Sequence, residues 1–409
     1  MIKYNSIKQV PIFPKAINLE LTNYCNLNCK MCINGKKNFR KKGFMSNELI
    51  ERILKEVIEN KKYIANGIDI CGIGEPLLHK ETINVVNKLK YHNIRTIMNT
   101  NGILLNKDIA KELLNSNIDK IMISLDSMNR DSYKEIKGID KFDNAIDNIT
   151  NLLLTKKKIN SKTIIQINML NVGDNFSEIK DAVVYWNKFL NENDVIYSRQ
   201  VKTLAGQVDD YRCEEKDKLN EFKYKLNQEQ INVDKFVVEN WKAMLKTINL
   251  QEKTPCRHLW NYTMILYNGD LSLCCIDFNG KLVVDNMENT TIKGIWNGQK
   301  YNNYRNMFIN NNYVMNGINA YRKKVFYFFM KKLIAVTGIR SEYFILQSVL
   351  EELVKKHIEL KIVVTGTHLS PLYGSTYKLI EKDGYNIIKL ETLLSSDSLS
   401  GRAKSLGIQ

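Results

Sequence analysis

Thr22-Asn23-Tyr24-Cys25-Asn26-Leu27-Asn28-Cys29-Lys30-Met31-Cys32 places three cysteines in a C-x3-C-x2-C run, directly after a strand-like stretch from Ala16 to Leu21. Three thiolates on one loop can hold three irons of a four-iron cluster, leaving the fourth iron without a protein ligand. An open coordination site is what a metal needs if it is to bind a substrate. A structural zinc site would require a fourth Cys or His nearby, and none follows Cys32.

Outward from this run the texture is strand and helix in alternation. Strand-like runs recur at Ile68 to Cys71, Arg95 to Asn99, Lys120 to Leu125, Thr163 to Met169 and Val195 to Val201. Amphipathic stretches lie between them, such as Asn47 to Glu59, opened by Ser46 as N-cap, and Asp143 to Leu154. The alternation predicts a parallel sheet with helices outside it, curled by right-handed crossovers into a barrel or part of one. Chemistry in such barrels sits at the C-terminal ends of the strands, where the cysteine run lies relative to the first strand.

The cysteine spacing resembles the signature of the radical S-adenosylmethionine superfamily. The resemblance implies a 4Fe-4S cluster on Cys25, Cys29 and Cys32. Its free iron would chelate S-adenosyl-L-methionine and cleave it reductively to methionine and a 5'-deoxyadenosyl radical. Later strand ends resemble the same family in order. Cys71-Gly72-Ile73-Gly74-Glu75-Pro76 is similar to the glycine-glycine-glutamate segment that meets the methionine ammonium, though Ile73 separates its glycines. Asn99-Thr100-Asn101-Gly102 ends the third strand, and Ser124-Leu125-Asp126 resembles the ribose-contacting position. Gln166 and Ile167 match a further cofactor-contacting region, and Met31 sits where the family places a bulky side chain near the adenine. Gly74, Glu75, Asn99, Ser124, Asp126 and Gln166 are the cofactor-binding set this resemblance implies.

From Cys256 to Arg305 short strands and tight turns take over. Asn268-Gly269-Asp270 separates Thr263 to Tyr267 from Leu271 to Cys275 and predicts a hairpin. Cys256-Arg257-His258-Leu259-Trp260, Cys274-Cys275-Ile276-Asp277 and Ile295-Trp296-Asn297 resemble the SPASM or twitch extension of the superfamily, which carries auxiliary iron-sulfur clusters. Cysteines normally found downstream are missing after Cys275. A full auxiliary cluster on Cys256, Cys274 and Cys275 would need a further ligand, Cys213 or Asp277; an extension without metal is the alternative. The cluster is expected to be labile or absent.

At Lys332 a new strand and helix pattern begins. Lys332 to Tyr343, Val364 to Pro371, Ser395-Ser396-Asp397 and Ala403-Lys404-Ser405 resemble the opening of hydrolysing UDP-N-acetylglucosamine 2-epimerases. This implies a truncated Rossmann-like segment of GT-B type, without epimerase activity because the partner domain is lacking.

The expected organisation is a radical core barrel over 1–205, a helical connection over 206–255, a SPASM/twitch-like extension over 256–310, an irregular junction over 311–329 and the epimerase-like segment over 330–409. The fold class is α/β, with an incomplete TIM-like barrel of about six units.

Composition narrows the partners. The chain has 409 residues and a net charge of +16, with 44% hydrophobic residues. Lysines are scattered without a basic arm or interleaved aromatics, so nucleic acid is not expected. No apolar run is long enough to span a bilayer, and the expected place is the cytoplasm. Eight cysteines there speak for metal or catalytic work over disulfides. A small acidic flavodoxin or ferredoxin is the expected electron donor, its encounter speeded by the positive charge. The expected activity is hydrogen abstraction from a small, carbohydrate-like substrate. Modification of a peptide or protein side chain, epimerase activity of the tail, and a non-catalytic iron-sulfur or zinc protein are the alternatives.

Overall fold

A computed structural model describes residues 10–35, 40–171, 176–200, 226–229, 232, 234–238, 258–274, 277–288, 290–309, 332–355, 359–371 and 374–390. The chain divides into two compact units, 1–319 and 320–409.

The first unit is built on one sheet. Its parallel strands are β1 (Ala16–Leu19), β2 (Gly67–Ile70), β3 (Thr96–Thr100), β4 (Lys120–Ser124), β5 (Ile164–Asn171), β6 (Val195–Gln200) and β7 (Phe236–Val238), each paired with the next. Between them run helices α1 (Asn47–Glu59), α2 (Thr82–Tyr91), α3 (Lys107–Asn115), α4 (Arg130–Lys137), α5 (Phe142–Lys158) and α6 (Phe176–Trp186). In α1 the spacing of Ile50, Ile53, Leu54 and Val57 gives one buried face, and the Ser46 hydroxyl caps its start by accepting the Leu49 amide.

The strands have two chemically different faces. Ile17, Ile68, Ile70, Met98, Ile121, Ile123, Ile165 and Ile167 are fully buried. On the alternate positions stand Asn18, Asp69, Asn99, Ser124, Gln166 and Asn168. Register brings these polar residues into rows, with Asn18 opposite Asp69, Asn99 and Gln166 flanking Met122, and Ser124 opposite Asn168. A parallel sheet sealed by helices on both faces would be apolar throughout. A polar second face is what the ligand-lined interior of a partial barrel would carry.

The extension is not a separate sheet. β8 (Tyr262–Ile265) pairs in parallel with β1, and β9 (Asp270–Ser272) and β10 (Val283–Asn286) continue antiparallel, giving the order β10-β9-β8-β1-β2-β3-β4-β5-β6-β7. The predicted hairpin is the β8–β9 turn, where Gly269 takes φ 84°, a conformation that favours glycine. The stretch 206–255, expected to be a helical connection, supplies strand β7, because Phe236-Val237-Val238 is a β-branched and aromatic triplet beside the β6 edge.

In the second unit β11 (Lys332–Thr337), β12 (Glu359–Val364) and β13 (Asn386–Lys389) form a parallel sheet in that order, joined through the helices Arg340–Lys355 and Tyr377–Lys382. Tyr343, Leu350, Ile362, Val364 and Ile380 make its core. The motifs Ser395-Ser396-Asp397 and Ala403-Lys404-Ser405 lie outside the described residues. Among the described residues no helix is long and apolar enough to cross a membrane.

Candidate active site at the strand ends

The cysteine loop leaves β1 and is pinned on three sides. Thr22 donates its hydroxyl to Gly43 O at 2.7 Å, while Asn23 donates to Lys41 O and accepts from Gly43 N at 2.9 and 2.8 Å. Asn34 Nδ2 donates to Asn23 O and Ile73 O at 3.1 and 3.0 Å. Asn28 N and Lys30 N donate to Lys137 O and Ile136 O at 3.0 and 2.9 Å, so the end of α4 braces the loop from below.

Cys25, Cys29 and Cys32 are unpaired by disulfide and partly buried. Asn34 N reaches Cys32 Sγ at 3.5 Å and Asn101 Nδ2 reaches Cys25 Sγ at 3.8 Å. Burial pushes all three thiols up, Cys29 to about 12. Such thiols become thiolates when a metal displaces their protons. Among the described residues no group of three Cys, His, Asp or Glu is drawn close enough to hold a single metal ion. A one-ion zinc site gathers its sulfurs on one metal, whereas a four-iron cluster puts each sulfur on a different iron.

The glycines after β2 are used by the protein itself. A Cβ on Gly74 would stand 2.3 Å from Thr22 O and 2.5 Å from Tyr24 O, and one on Gly72 would stand 2.6 Å from Glu20 Cγ. The two loops touch backbone to backbone, and Glu75 N donates to Tyr24 O at 2.8 Å. Glu75 is buried. Its carboxylate accepts Thr100 Oγ1 at 2.8 Å, Asn101 N at 2.7 Å and Leu77 N at 3.2 Å. These bonds tie the ends of β2 and β3 together.

At the ends of β4 and β5, Leu125 N and Asp126 N both donate to Asn168 O, at 3.2 and 3.1 Å. Asp126 takes φ 72°, unusual for a residue with a side chain. Its Oδ2 is 2.5 Å from Lys137 Nζ, which also donates to Ser124 O at 2.6 Å. Asp126 Oδ1 and Asn168 Nδ2 are buried and have no partner among the described residues. An orphaned acceptor and donor each cost desolvation energy unless a bound molecule satisfies them. Gln166 Nε2 donates to Asn168 Oδ1 at 2.6 Å, and Asn99 Nδ2 to Asp69 Oδ1 at 2.8 Å. Burial raises Asp69 to about 6.

The extension reaches this region through Glu20. Its carboxylate accepts Arg40 Nη2 at 2.8 and 2.9 Å, Ile73 N at 3.3 Å and Tyr267 N at 3.4 Å, while Arg40 Nε donates to Phe278 O at 2.6 Å. Asp277 is bonded within the extension's own turn. It accepts Ser272 Oγ at 2.7 Å, Lys281 N at 2.9 Å and Leu282 N at 2.7 Å and shapes the turn before β10. Cys274 is partly buried; Cys213, Cys256 and Cys275 lie outside the described residues.

Sequence reading overlooked Glu20, Asn101, Lys137 and Asn168. Asn168 carried a signal, since it follows Gln166 by two on the same face of a strand. Lys137 carried little, because a lysine before a helix-ending glycine normally faces water.

A family model described as the Radical SAM superfamily matches residues 19–183, and one described as SPASM, an iron-sulfur cluster-binding domain, matches 256–316. Among curated proteins, an uncharacterized protein of Methanocaldococcus jannaschii is 38% identical over 133 residues, covering 32% of this chain and 41% of that protein. A probable GTP 3',8-cyclase of the same organism is 30% identical over 173 residues, covering 42% and 54%. The chain thus spans about half the length of these relatives, or less. Among solved structures, SuiB of Streptococcus suis bound to its precursor peptide SuiA aligns with a TM-score of 0.59 at 18% identity, over 74% of this chain and 68% of that one. SuiB bound to S-adenosylmethionine aligns at 0.58 and 18%, over 72% and 68%. At that identity the likeness is one of fold. A radical SAM domain implies a 4Fe-4S cluster and S-adenosylmethionine, and a SPASM domain implies auxiliary iron-sulfur clusters. With the first matched stretch on the parallel strands and the second joined to the same sheet through β8, residues 19–183 carry a Radical SAM superfamily domain and residues 256–316 a SPASM domain.

Proposed function

We propose that the chain cleaves S-adenosylmethionine reductively and uses the resulting radical to abstract hydrogen from a small substrate, carbohydrate-like in its hydroxyl chemistry. The observation that carries this reading is the pair of orphaned polar atoms, Asp126 Oδ1 and Asn168 Nδ2, at the C-terminal strand ends of the parallel sheet, the end at which the cysteine loop leaves β1. When bound, the cluster and S-adenosylmethionine supply an electron and a 5'-deoxyadenosyl radical. Cys25, Cys29 and Cys32 would hold the cluster. Asp126 and Asn168 offer one acceptor and one donor, a match for sugar hydroxyls, with Gln166 orienting Asn168 and Ser124 beside them. Gly74 and Glu75 act as framework, keeping the loop after β2 against the cysteine loop. The interior face carrying Asp69 and Asn99 is left for substrate, and its amides and carboxyl suit a hydroxylated molecule.

A second reading, modification of a peptide, draws on the fold likeness to SuiB, whose structure was solved with a precursor peptide. An acidic flavodoxin or ferredoxin is the electron donor proposed for either, met by the +16 charge.

The test is anaerobic: reconstituted protein, a strong reductant and S-adenosylmethionine should yield 5'-deoxyadenosine, and Cys29→Ala should abolish it. Undiminished cleavage in that variant sinks the reading. Turnover with hydroxylated small molecules against peptides then separates the two substrate classes.

A further inference from the structure

Tyr24, joined directly to Cys25, stacks in water on Phe44. The two residues are 39% and 50% exposed, with ring centroids 4.9 Å apart and planes at 27°. Of the large apolar side chains described as exposed in the first unit, these are the two that meet ring to ring. The pair is exposed yet held in place. Residues 41–45 run antiparallel beside 21–24, through the Thr22–Phe44 bridge, the bond from Met45 N to Leu21 O at 2.8 Å and the bonds of Thr22 and Asn23. His79 meets Phe44 edge-on at 5.7 Å between centroids, and its Nε2 lies 2.8 Å from Met45 O. Aromatic side chains are enriched where proteins dock, and those that dominate an interface sit near its centre.

The rim of this pair is positive. Lys41 and Lys42 are exposed, two and three residues before Phe44. In the sequence, five of the seven residues from Lys36 to Lys42 are basic. Arg40 among them is turned inward onto Glu20 and Phe278 O, so it holds the ribbon rather than facing solvent. Glu48, at the exposed start of α1, brings an acid to the neighbourhood, with Lys80 acting on it. An apolar centre with a lysine rim selects a partner of opposite charge and speeds the encounter.

Resting on the cluster reading above, we propose that the Tyr24–Phe44 pair, with Lys41 and Lys42, is the seat of the electron carrier. A small acidic one-electron carrier protein sets an apolar edge on the two rings and its carboxylates against the lysines. One electron passes, the carrier being oxidised and the cluster reduced, and no atom changes hands. Tyr24 is one peptide bond from Cys25, about 3.8 Å between α-carbons, so the seat adjoins the loop that receives the electron.

The experiment uses the full chain, reconstituted with iron and sulfide and given S-adenosylmethionine. Two donors are compared anaerobically, reduced flavodoxin and the small cation reduced methyl viologen, and 5'-deoxyadenosine is timed at limiting donor. With flavodoxin, the double variant Lys41→Glu/Lys42→Glu should lower the rate about tenfold and remove most of its decline with added salt. Phe44→Ala should lower it about fivefold while keeping the salt dependence. With methyl viologen neither variant should lose rate, and the iron content should stay that of the wild type. Variants as fast as the wild type with flavodoxin overturn the proposal and leave the patch to another occupant, a peptide substrate or a second copy. An equal loss with both donors also overturns it, since damage to the cysteine loop would do that. So does a wild type that accepts electrons from methyl viologen but neither from flavodoxin nor from a ferredoxin. A wild type that yields no 5'-deoxyadenosine with any donor would instead bring down the cluster reading itself.

Discussion

Glu75 Oε1 and Thr100 Oγ1 lie 2.8 Å apart, with Asn101 N on the other carboxylate oxygen at 2.7 Å, in a place closed to water. One of the two donors would be left facing an N–H if the acid became an amide. Glu75→Gln is therefore expected to cost about 1–3 kcal/mol and to loosen the cysteine loop through Glu75 N and Tyr24 O. Thermal unfolding and the rate of iron loss to a chelator check this; an unchanged rate would free Glu75 from its framework role.

Gly74→Ala puts a methyl group within 2.5 Å of two carbonyl oxygens, Thr22 O and Tyr24 O, neither of which can rotate away. The variant should fold its distal helices normally but take up less than about half the iron of the wild type, an overpacking effect. Circular dichroism with iron counting reads both. Full iron uptake would mean that the loops can part without harm.

Asp69 gives a pH dependence with a definite sign. Its ordinary value is 3.8 and burial raises it to about 6 in the folded chain, so between those values the folded form holds the proton more tightly than the unfolded one. Stability from this group is complete below pH 4 and is lost as pH rises through about 6, on the order of 3 kcal/mol in all. Anaerobic urea unfolding should show a decline from pH 5 to 6.5 and a plateau above. Asp69→Asn should flatten that decline.

In the second unit Glu342 Oε2 already accepts Gly338 N at 2.8 Å and Ile339 N at 3.3 Å, the amides a phosphate would seek at the start of that helix. Arg340 lies over the Phe344 ring at 5.4 Å. Incubation with UDP-N-acetylglucosamine should release no UDP. Turnover kept in Cys25→Ala but lost in Arg340→Ala would assign an activity to this unit.

Most of the barrel was legible because its strands alternate an apolar side with a polar one, and Ser46 marks a helix start with a side chain that accepts a backbone amide. The cysteine run was legible because cluster ligands are local in sequence. The pairing of β8 with β1 was not, since Ala16 and Tyr262 meet only through the folded sheet. Neither was the role of Glu75: a carboxylate that holds a loop and one that holds a ligand read alike as letters. Lys137 was hidden for a similar reason, its burial being decided by where Asn28 lands.

The parallel pairing of β8 with β1 orders events during synthesis. The strand that feeds the cysteine loop gains its second neighbour only after residue 265 has been made, some way behind β2. Until then one flank of the loop lacks Tyr267 and Phe278, which reach it through Glu20 and Arg40. A nascent chain therefore holds its cysteine loop without that flank until the hairpin arrives.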